Sequence, residues 1–139
     1  MAGETLGQIG RGAAVLVGIG VGDTPELVDR MADKLLGLRY FEDADGRTNL
    51  AIDEAGGDYL VVSQFTLMAD LRHGRRPGFT EAAAPEVAEP MVARFAERLR
   101  AAGRRVATGR FGADMEVELV NDGPFTLVLD ASPEAGGGE

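Results

Sequence analysis

The stretch Asp58-Tyr-Leu-Val-Val-Ser-Gln-Phe-Thr66 decides the fold, because it begins as a solid apolar run and turns polar at its end. A short apolar run that follows turn residues, here Gly56-Gly57, is typical of a buried strand. Residues 13–20 form a second continuous apolar run that ends in glycine, and they predict another buried strand. Polar residues at the end of a core strand often line a site, so residues 63–66 form the first candidate functional segment.

Helices and further strands are predicted around these two runs. Asp23 or Thr24 can cap a helix whose first turn holds Pro25, and Asp45-Gly46 between apolar runs predicts a hairpin. The remaining predicted elements are a helix ending near residue 37, strands at 38–41 and 48–52, a helical stretch at 80–102 divided by Pro85 and Pro90, and strands at 115–120 and 125–130. This order predicts an α+β fold with a largely antiparallel β-sheet and helices packed on one side. We expect one domain, residues 1–130, and a disordered tail, residues 131–139.

Composition excludes several classes of function. The 139 residues carry a formal net charge of −9, which argues against a protein that coats nucleic acid by bulk charge, because counterion release needs a basic surface. Cysteine is absent and His73 is the one histidine, so disulfides, thiolate metal sites and multi-histidine zinc sites are excluded. We therefore expect no cofactor and no metal. The sequence also shows no apolar stretch long enough to span a bilayer and no signal peptide, which predicts a cytoplasmic protein without a membrane partner.

The candidate segment at residues 63–66 reads Ser63-Gln64-Phe65-Thr66. Strand residues alternate between faces, so Gln64 and Thr66 are expected to point one way while Ser63 and Phe65 point the other. Two hydroxyls and an amide at a strand end can form a polar pocket. Alternatively, the same hydroxyls satisfy neighbouring backbone groups at an ordinary strand end.

Three further segments contain candidate residues, each with a simpler structural alternative. Asn121-Asp122-Gly123-Pro124-Phe125-Thr126 contains a Gly-Pro pair, which is first of all a turn signal. Arg72, Arg75 and Arg76 suit phosphate oxygens, or they form a solvated loop paired with Asp70 or Glu81. Glycines around Phe111 in the segment Gly109-Arg110-Phe111-Gly112-Ala113-Asp114-Met115 permit close approach of a ligand, or simply a tight bend.

Taken together, four of these segments resemble the D-aminoacyl-tRNA deacylases. The similarity runs from about Gly3 to Asp130, and the pair of motifs Ser-Gln-x-Thr and Asn-x-Gly-Pro-x-Thr is specific in combination. In this order and spacing, the matching segments are Ser63-Gln64-Phe65-Thr66, Arg76-Pro77, Phe111-Gly112-Ala113-Asp114-Met115 and Asn121-Asp122-Gly123-Pro124-Phe125-Thr126.

The resemblance implies a homodimeric hydrolase with a curled sheet. The family cleaves the ester that joins a D-amino acid, or glycine as mischarged on tRNA-Ala, to the 3′-terminal adenosine of tRNA. Thr66 matches the proposed catalytic threonine, with Ser63, Gln64 and Phe65 around it. Gly123 and Pro124 match a Gly-cisPro motif that enters the partner's pocket, supported by Asn121 and Thr126. The expected partners are the acceptor end of aminoacyl-tRNA and a second copy of the chain, with no DNA.

The resemblance also suggests how the other candidate residues contribute. Phe111, Gly112, Ala113 and Met115 are expected to line the substrate pocket, and the three loop arginines are expected to hold tRNA phosphates. An aminoacyl ester is already activated, and a threonine hydroxyl is weak without a base, so we favour backbone N–H donors that hold the carbonyl. Attack then comes from Thr66 or from water assisted by the tRNA 2′-hydroxyl, and the sequence does not choose between them.

Chirality is expected to follow from the carbonyls of Gly123 and Pro124. A side chain in the L position would collide with them, whereas a D side chain points away, and glycine has nothing to exclude. Family members begin with one more strand, upstream of the segment that residues 3–10 match, and this sequence starts after that strand. Either its start was misassigned or trimmed, or the protein lacks the strand, in which case we expect an unpaired sheet edge. The alternative function is a catalytically impaired module of the same fold that binds the tRNA 3′ end or a nucleotide.

Overall fold

The computed structural model describes residues 4–123 and 125–130. In chain order its elements are β1 Gly12–Val17, α1 Pro25–Gly37, β2 Phe41–Glu42, β3 Thr48–Leu50, α2 Ile52–Ala55, β4 Asp58–Ser63, a 3₁₀ turn Phe65–Met68, α3 Pro85–Ala101 and β5 Val106–Thr108. The mixture of helices and sheets confirms the α+β class. None of the helices in these residues is long and apolar enough to cross a membrane.

The main sheet is parallel, with β4 between β1 and β5. Gly12 pairs with Asp58 and Val17 with Ser63 along β1 and β4, and Tyr59 pairs with Val106 along β4 and β5. The prediction of a largely antiparallel sheet was therefore wrong. The physical reason is that a helix lies between each pair of neighbouring strands, and a crossover of that kind returns the chain in the same direction.

The predicted hairpin is present, although its strands are shorter. β2 and β3 pair antiparallel, and the turn between them uses Gly46 at φ 76°. The Asp43 carboxylate accepts hydrogen bonds from the N–H groups of Asp45 and Arg47. The second strand stops at Leu50 because Ile52 begins α2, where the sequence had predicted strand.

The core lies between the sheet and the helices α1 and α3. Tyr59 and Val61, on one face of β4, are almost fully buried and belong to one cluster with side chains of both helices. On the outer surface of the helix pair, the Arg94 guanidinium donates to Asp29 at 2.9 and 2.8 Å, and Arg98 donates to Asp33 in the same way. These hydrogen bonds lower the pKa of both carboxyls.

Helices α1 and α3 each begin at a proline. Thr24 caps α1 by accepting from the Leu27 N–H, and Pro25 opens the helix, as predicted. For α3 the prediction of two pieces was wrong, since the helix starts only at Pro85 and runs through Pro90 without a break. Pro90 removes one N–H near the helix start, and the burial of Phe95 and Leu99 supports the continuous helix.

The predicted strands at residues 115–120 and 125–130 do not form. Among the described residues, this C-terminal segment joins neither sheet, and Val120 and Val128 are 96% and 89% exposed. Apolar alternation supplies strand propensity, but a strand also needs a neighbouring edge to hydrogen-bond. Pro124 and the predicted tail, residues 131–139, lie outside the described residues.

Candidate functional site

The end of β4 turns directly into the 3₁₀ turn and so presents Gln64 and Thr66 together. The Gln64 N–H donates to the Val17 carbonyl at 2.8 Å, which fixes the exit from the sheet. The Gln64 side-chain amide then donates to the Thr66 hydroxyl oxygen at 2.5 Å. Gln64 and Thr66 therefore share a side, as predicted, although the tight turn rather than strand alternation brings them together.

Two backbone donors stand beside this hydroxyl. Phe65 and Thr66 occupy the first turn of the 3₁₀ helix, where N–H groups have no partner within the helix. In residues 4–123 and 125–130 neither N–H donates to an acceptor, and no carboxylate or imidazole hydrogen-bonds to the Thr66 hydroxyl. Both residues are exposed. The segment thus offers donors for an oxyanion but no base for its hydroxyl.

Small residues after β1 allow the 3₁₀ turn to lie this close to the sheet. A Cβ at Gly18 would stand 3.0 Å from the Leu67 Cβ and 3.1 Å from the Gln64 carbonyl oxygen, and a Cβ at Gly20 would meet Met68 at 2.8 Å. A larger residue at Gly18 would push the turn away from β1, whereas at Gly20 the flexible end of the Met68 side chain could move aside. Gly18, near the end of the first apolar run, therefore helps to position the candidate site.

A cavity of about 180 Å³ opens on the helix side of the β4 end. Ser63 lines it, and so do Phe111 and Met115 from the segment after β5. The structure thus brings together Ser63, which the sequence predicted beside the catalytic threonine, and Phe111 and Met115, which it predicted in the substrate pocket. The other lining residues are Val61, Glu89, Val92, Ala93, Gly109 and Arg110.

Two predicted pocket residues, Gly112 and Ala113, do not line the cavity. Gly112 adopts φ 76°, and the Ala113 N–H closes a turn onto the Arg110 carbonyl at 3.1 Å. Close approach is needed instead at Gly109, where a Cβ would overlap the Met115 sulphur. Sequence reasoning missed the contribution of α3, including Glu89, because a helix face that borders a cavity looks like any other amphipathic face.

Backbone hydrogen bonds close the loop that carries Arg72, Arg75 and Arg76, and these arginines differ in their contacts. Asp70 and Gly78 exchange two backbone hydrogen bonds of 2.7 and 2.9 Å. Arg72 donates to the Asp70 carboxylate at 2.8 Å and to Glu81 at 2.9 Å. The hydrogen bonds from Arg72 to Asp70 lower the pKa of Asp70 to about 2. Arg72 therefore fits the structural alternative to phosphate binding, a surface arginine paired with Asp70 and Glu81. Arg75 and Arg76 are exposed.

In the described part of the last motif, residues 121–126, a side-chain hydrogen bond links its two ends. The Asn121 amide donates to the hydroxyl oxygen of Thr126 at 3.3 Å. Gly123 is exposed at the bend between them. Pro124 lies outside the described residues, so the predicted geometry of the Gly-Pro pair stays a prediction.

Comparison with known proteins gives one consistent family. A family model described as D-Tyr-tRNA(Tyr) deacylase matches residues 1–130. A protein of Symbiobacterium thermophilum named D-aminoacyl-tRNA deacylase is 57% identical over 129 residues, covering 93% of this chain and 85% of that protein. One of the same name from Thermotoga petrophila is 53% identical, covering 93% and 87%.

Solved structures show the same architecture. A structure titled "c-Myc DNA Unwinding Element Binding Protein" matches with a TM-score of 0.87 and 38% identity, over 94% of this chain and 89% of that one. A structure of a probable eukaryotic D-amino acid tRNA deacylase matches with a TM-score of 0.67 over 76% of this chain and 77% of that one. At 21% identity, the second comparison shows a shared fold.

Proposed function

Because this chain belongs to the D-Tyr-tRNA(Tyr) deacylase family and is a hydrolase that acts on aminoacyl-tRNA, we propose that it removes D-amino acids, and glycine mischarged on tRNA-Ala, from tRNA. The observation that carries the proposal is the family match over residues 1–130, which includes every motif of the candidate site. In the reaction water adds to the ester carbonyl and the bond to the ribose 3′ oxygen breaks. The products are a free amino acid and reusable tRNA.

The ester carbonyl is proposed to bind at the start of the 3₁₀ turn. The N–H groups of Phe65 and Thr66 are without acceptors in the described chain, and donors of this kind stabilise the negative charge that develops on the carbonyl oxygen. Gln64 holds the Thr66 hydroxyl through its amide. Since no base contacts that hydroxyl in the described residues, we favour water assisted by the tRNA 2′-hydroxyl over direct attack by Thr66.

The C-terminal motif is proposed to discriminate between D- and L-aminoacyl esters. In a homodimer, the carbonyls of Gly123 and Pro124 from one subunit would enter the ester pocket of the other. There they would collide with an L side chain and leave a D side chain or glycine undisturbed. The hydrogen bond from Asn121 to Thr126 supports this reading, since it ties together the two ends of the loop that must be rigid.

The tRNA is proposed to be bound through a few of its phosphates. The net charge of −9 disfavours broad coverage of the acceptor stem, so the contact must be local. Arg75 and Arg76 supply it by binding phosphates, whereas Arg72 is already engaged by two carboxylates. Binding should accordingly be modest and salt-sensitive.

The test is hydrolysis of matched substrates by the purified full-length chain. D-Tyr-tRNA, L-Tyr-tRNA and Gly-tRNA-Ala are incubated separately, and the remaining aminoacyl-tRNA is measured over time. We expect rapid loss of the D-aminoacyl and glycyl esters and slow loss of the L ester. Binding of D-Tyr-tRNA without turnover would instead identify the impaired tRNA-end module, and equal hydrolysis of D and L esters would exclude the proofreading role.

A further inference from the structure

Two exposed aromatic rings stand next to the candidate catalytic threonine. Phe65 is 55% exposed and Phe79 is 40% exposed, and their centroids lie 5.1 Å apart with an interplanar angle of 64°. Leaving two phenyl rings in water is unfavourable, because large apolar side chains gain free energy when they are buried. Paired aromatic surface beside a site therefore points to a ligand with a flat apolar face.

The position of this ring pair is fixed by backbone contacts on both sides. Phe65 directly precedes Thr66 in the 3₁₀ turn. Phe79 follows Gly78, whose N–H and carbonyl both bond to Asp70, and its own carbonyl accepts from the Ala82 N–H at 3.1 Å. The rings are therefore held on a rigid frame, which lowers the entropic cost of stacking a ligand against them.

Positive charge is provided on the same loop. Arg75 and Arg76 are exposed and lie four and three residues, respectively, before Phe79 in the sequence. Arg72 pairs with the carboxylates of both Asp70 and Glu81, so these three groups together retain one negative charge. Arg75 and Arg76 outweigh that charge, and neither forms an ion pair within residues 4–123 and 125–130. In a chain of net charge −9, this loop thus combines aromatic surface with exposed cations, which is the combination that binds single-stranded nucleic acid.

We infer that Phe79, with the Phe65 ring against it, is a stacking subsite for the unpaired base that precedes the terminal adenosine of tRNA. The inference rests on the proposed function. With the ester at Thr66, the terminal adenosine takes the cavity lined by Phe111 and Met115, and the preceding nucleotide lies over the ring pair. Its phosphate faces Arg75 and Arg76. The subsite reads no sequence, because every base has a π face.

The test compares two RNA ligands and three variants. One ligand is a tRNA acceptor minihelix with its unpaired 3′ nucleotides, and the other is the same minihelix cut back to a blunt end. Phe79→Leu keeps an apolar side chain but removes the ring, and Phe79→Trp keeps an aromatic face. Val87→Ala is the matched control, because Val87 is a comparably exposed apolar residue, at 47%, on α3. Affinities are measured by fluorescence anisotropy of labelled RNA, and sedimentation velocity records the oligomeric state of each protein.

We expect Phe79→Leu to weaken binding of the overhang minihelix by about 5-fold to 100-fold, the range found when one base loses an aromatic partner. Phe79→Trp and Val87→Ala should bind it like the parent chain, and none of the variants should change the affinity for the blunt minihelix. Hydrolysis of D-Tyr-tRNA by Phe79→Leu should show a raised KM with little change in kcat.

Three results would overturn the inference: unchanged affinity of Phe79→Leu for the overhang, equal loss for both minihelices, or loss that accompanies a change in oligomeric state. The last would show that the rings form a contact between copies of the chain. The proposed function is judged separately by the parent chain. If the parent hydrolyses D-Tyr-tRNA while Phe79→Leu binds normally, the stacking subsite fails and the function stands. If the parent is inactive but Phe79→Leu loses overhang binding, the function fails and the subsite stands.

Discussion

The strand β4 and the C-terminal segment, residues 115–130, have similar apolar patterns and opposite outcomes. β4 is hydrogen-bonded on both edges, and Tyr59 and Val61 are nearly inaccessible. The C-terminal segment joins no ladder in the described chain, and Val120 and Val128 are almost fully exposed. Strand propensity is thus a statement about side chains, and a strand forms only where another backbone edge accepts it.

The proposed division of function follows the same two regions. In the proposal, the end of β4 provides the groups that contact the ester, in a position fixed by the sheet. The C-terminal segment would provide the motif that discriminates D from L side chains, and within the described residues a hydrogen bond from Asn121 to Thr126 links its ends. Rate and selectivity should therefore respond to different mutations.

The largest contrast is expected in stability. Leu99→Ala removes a fully buried side chain and should lower the free energy of unfolding by about 2–5 kcal/mol. Val128→Ala, at an 89% exposed position, should change it by less than about 0.5 kcal/mol. Urea titrations of both variants measure the difference. A cost at Val128 comparable to that at Leu99 would show that the C-terminal segment is packed against a partner in solution.

The next effect concerns the chemical step at the end of β4. If the tRNA 2′-hydroxyl assists water, Thr66→Ala should lower kcat on D-Tyr-tRNA by less than about 10-fold, since one hydrogen-bonding group is lost rather than the nucleophile. A substrate ending in 2′-deoxyadenosine should react far more slowly, by about 100-fold or more. Single-turnover assays on both substrates separate the routes. Abolished turnover in Thr66→Ala, with the 2′-deoxy substrate still cleaved, would assign the attack to the threonine.

A smaller effect is expected from loosening the C-terminal motif. Asn121→Ala removes the hydrogen bond to Thr126 and should lower the ratio of D-ester to L-ester hydrolysis by about 3-fold to 10-fold, the equivalent of one hydrogen bond. The rate on the D ester should hardly change. Asp122→Ala serves as the control within the same loop. If Asn121→Ala slows D-ester hydrolysis and leaves the ratio unchanged, the two regions do not divide rate from selectivity.

The smallest effect is the pH dependence of stability. The arginine partners lower the pKa of Asp29 and Asp33 in the folded chain, so the unfolded chain binds protons more readily than the folded chain does. The stabilisation is complete above the ordinary carboxyl pKa of about 4 and is lost as the pH falls below it. Thermal unfolding between pH 7 and pH 3 should show a melting temperature that falls at the acid end, and Asp29→Asn should reduce that fall.

The sequence predicted individual helices, turns and strands better than it predicted which strands are hydrogen-bonded to each other. The capped start at Thr24, the hairpin around Gly46 and the buried strand at β4 each depend on neighbours within a few residues, and each was confirmed. The direction of the sheet and the fate of residues 115–130 depend on which backbone edges meet, and the prediction was wrong for both. The same limit applies to the site. The motifs identified Ser63, Phe111 and Met115 as candidate site residues, but their meeting at one cavity, the participation of α3 through Glu89 and the pairing of Phe65 with Phe79 required the folded chain.

The most direct test of the account is the ratio of kcat/KM for D-Tyr-tRNA to that for L-Tyr-tRNA, measured on the unmodified chain at a low and at a high salt concentration. If a rigid motif from a neighbouring copy screens the ester by shape, the D substrate is strongly preferred and the preference survives while total affinity falls with added salt. A ratio near one, with both esters hydrolysed, would contradict it.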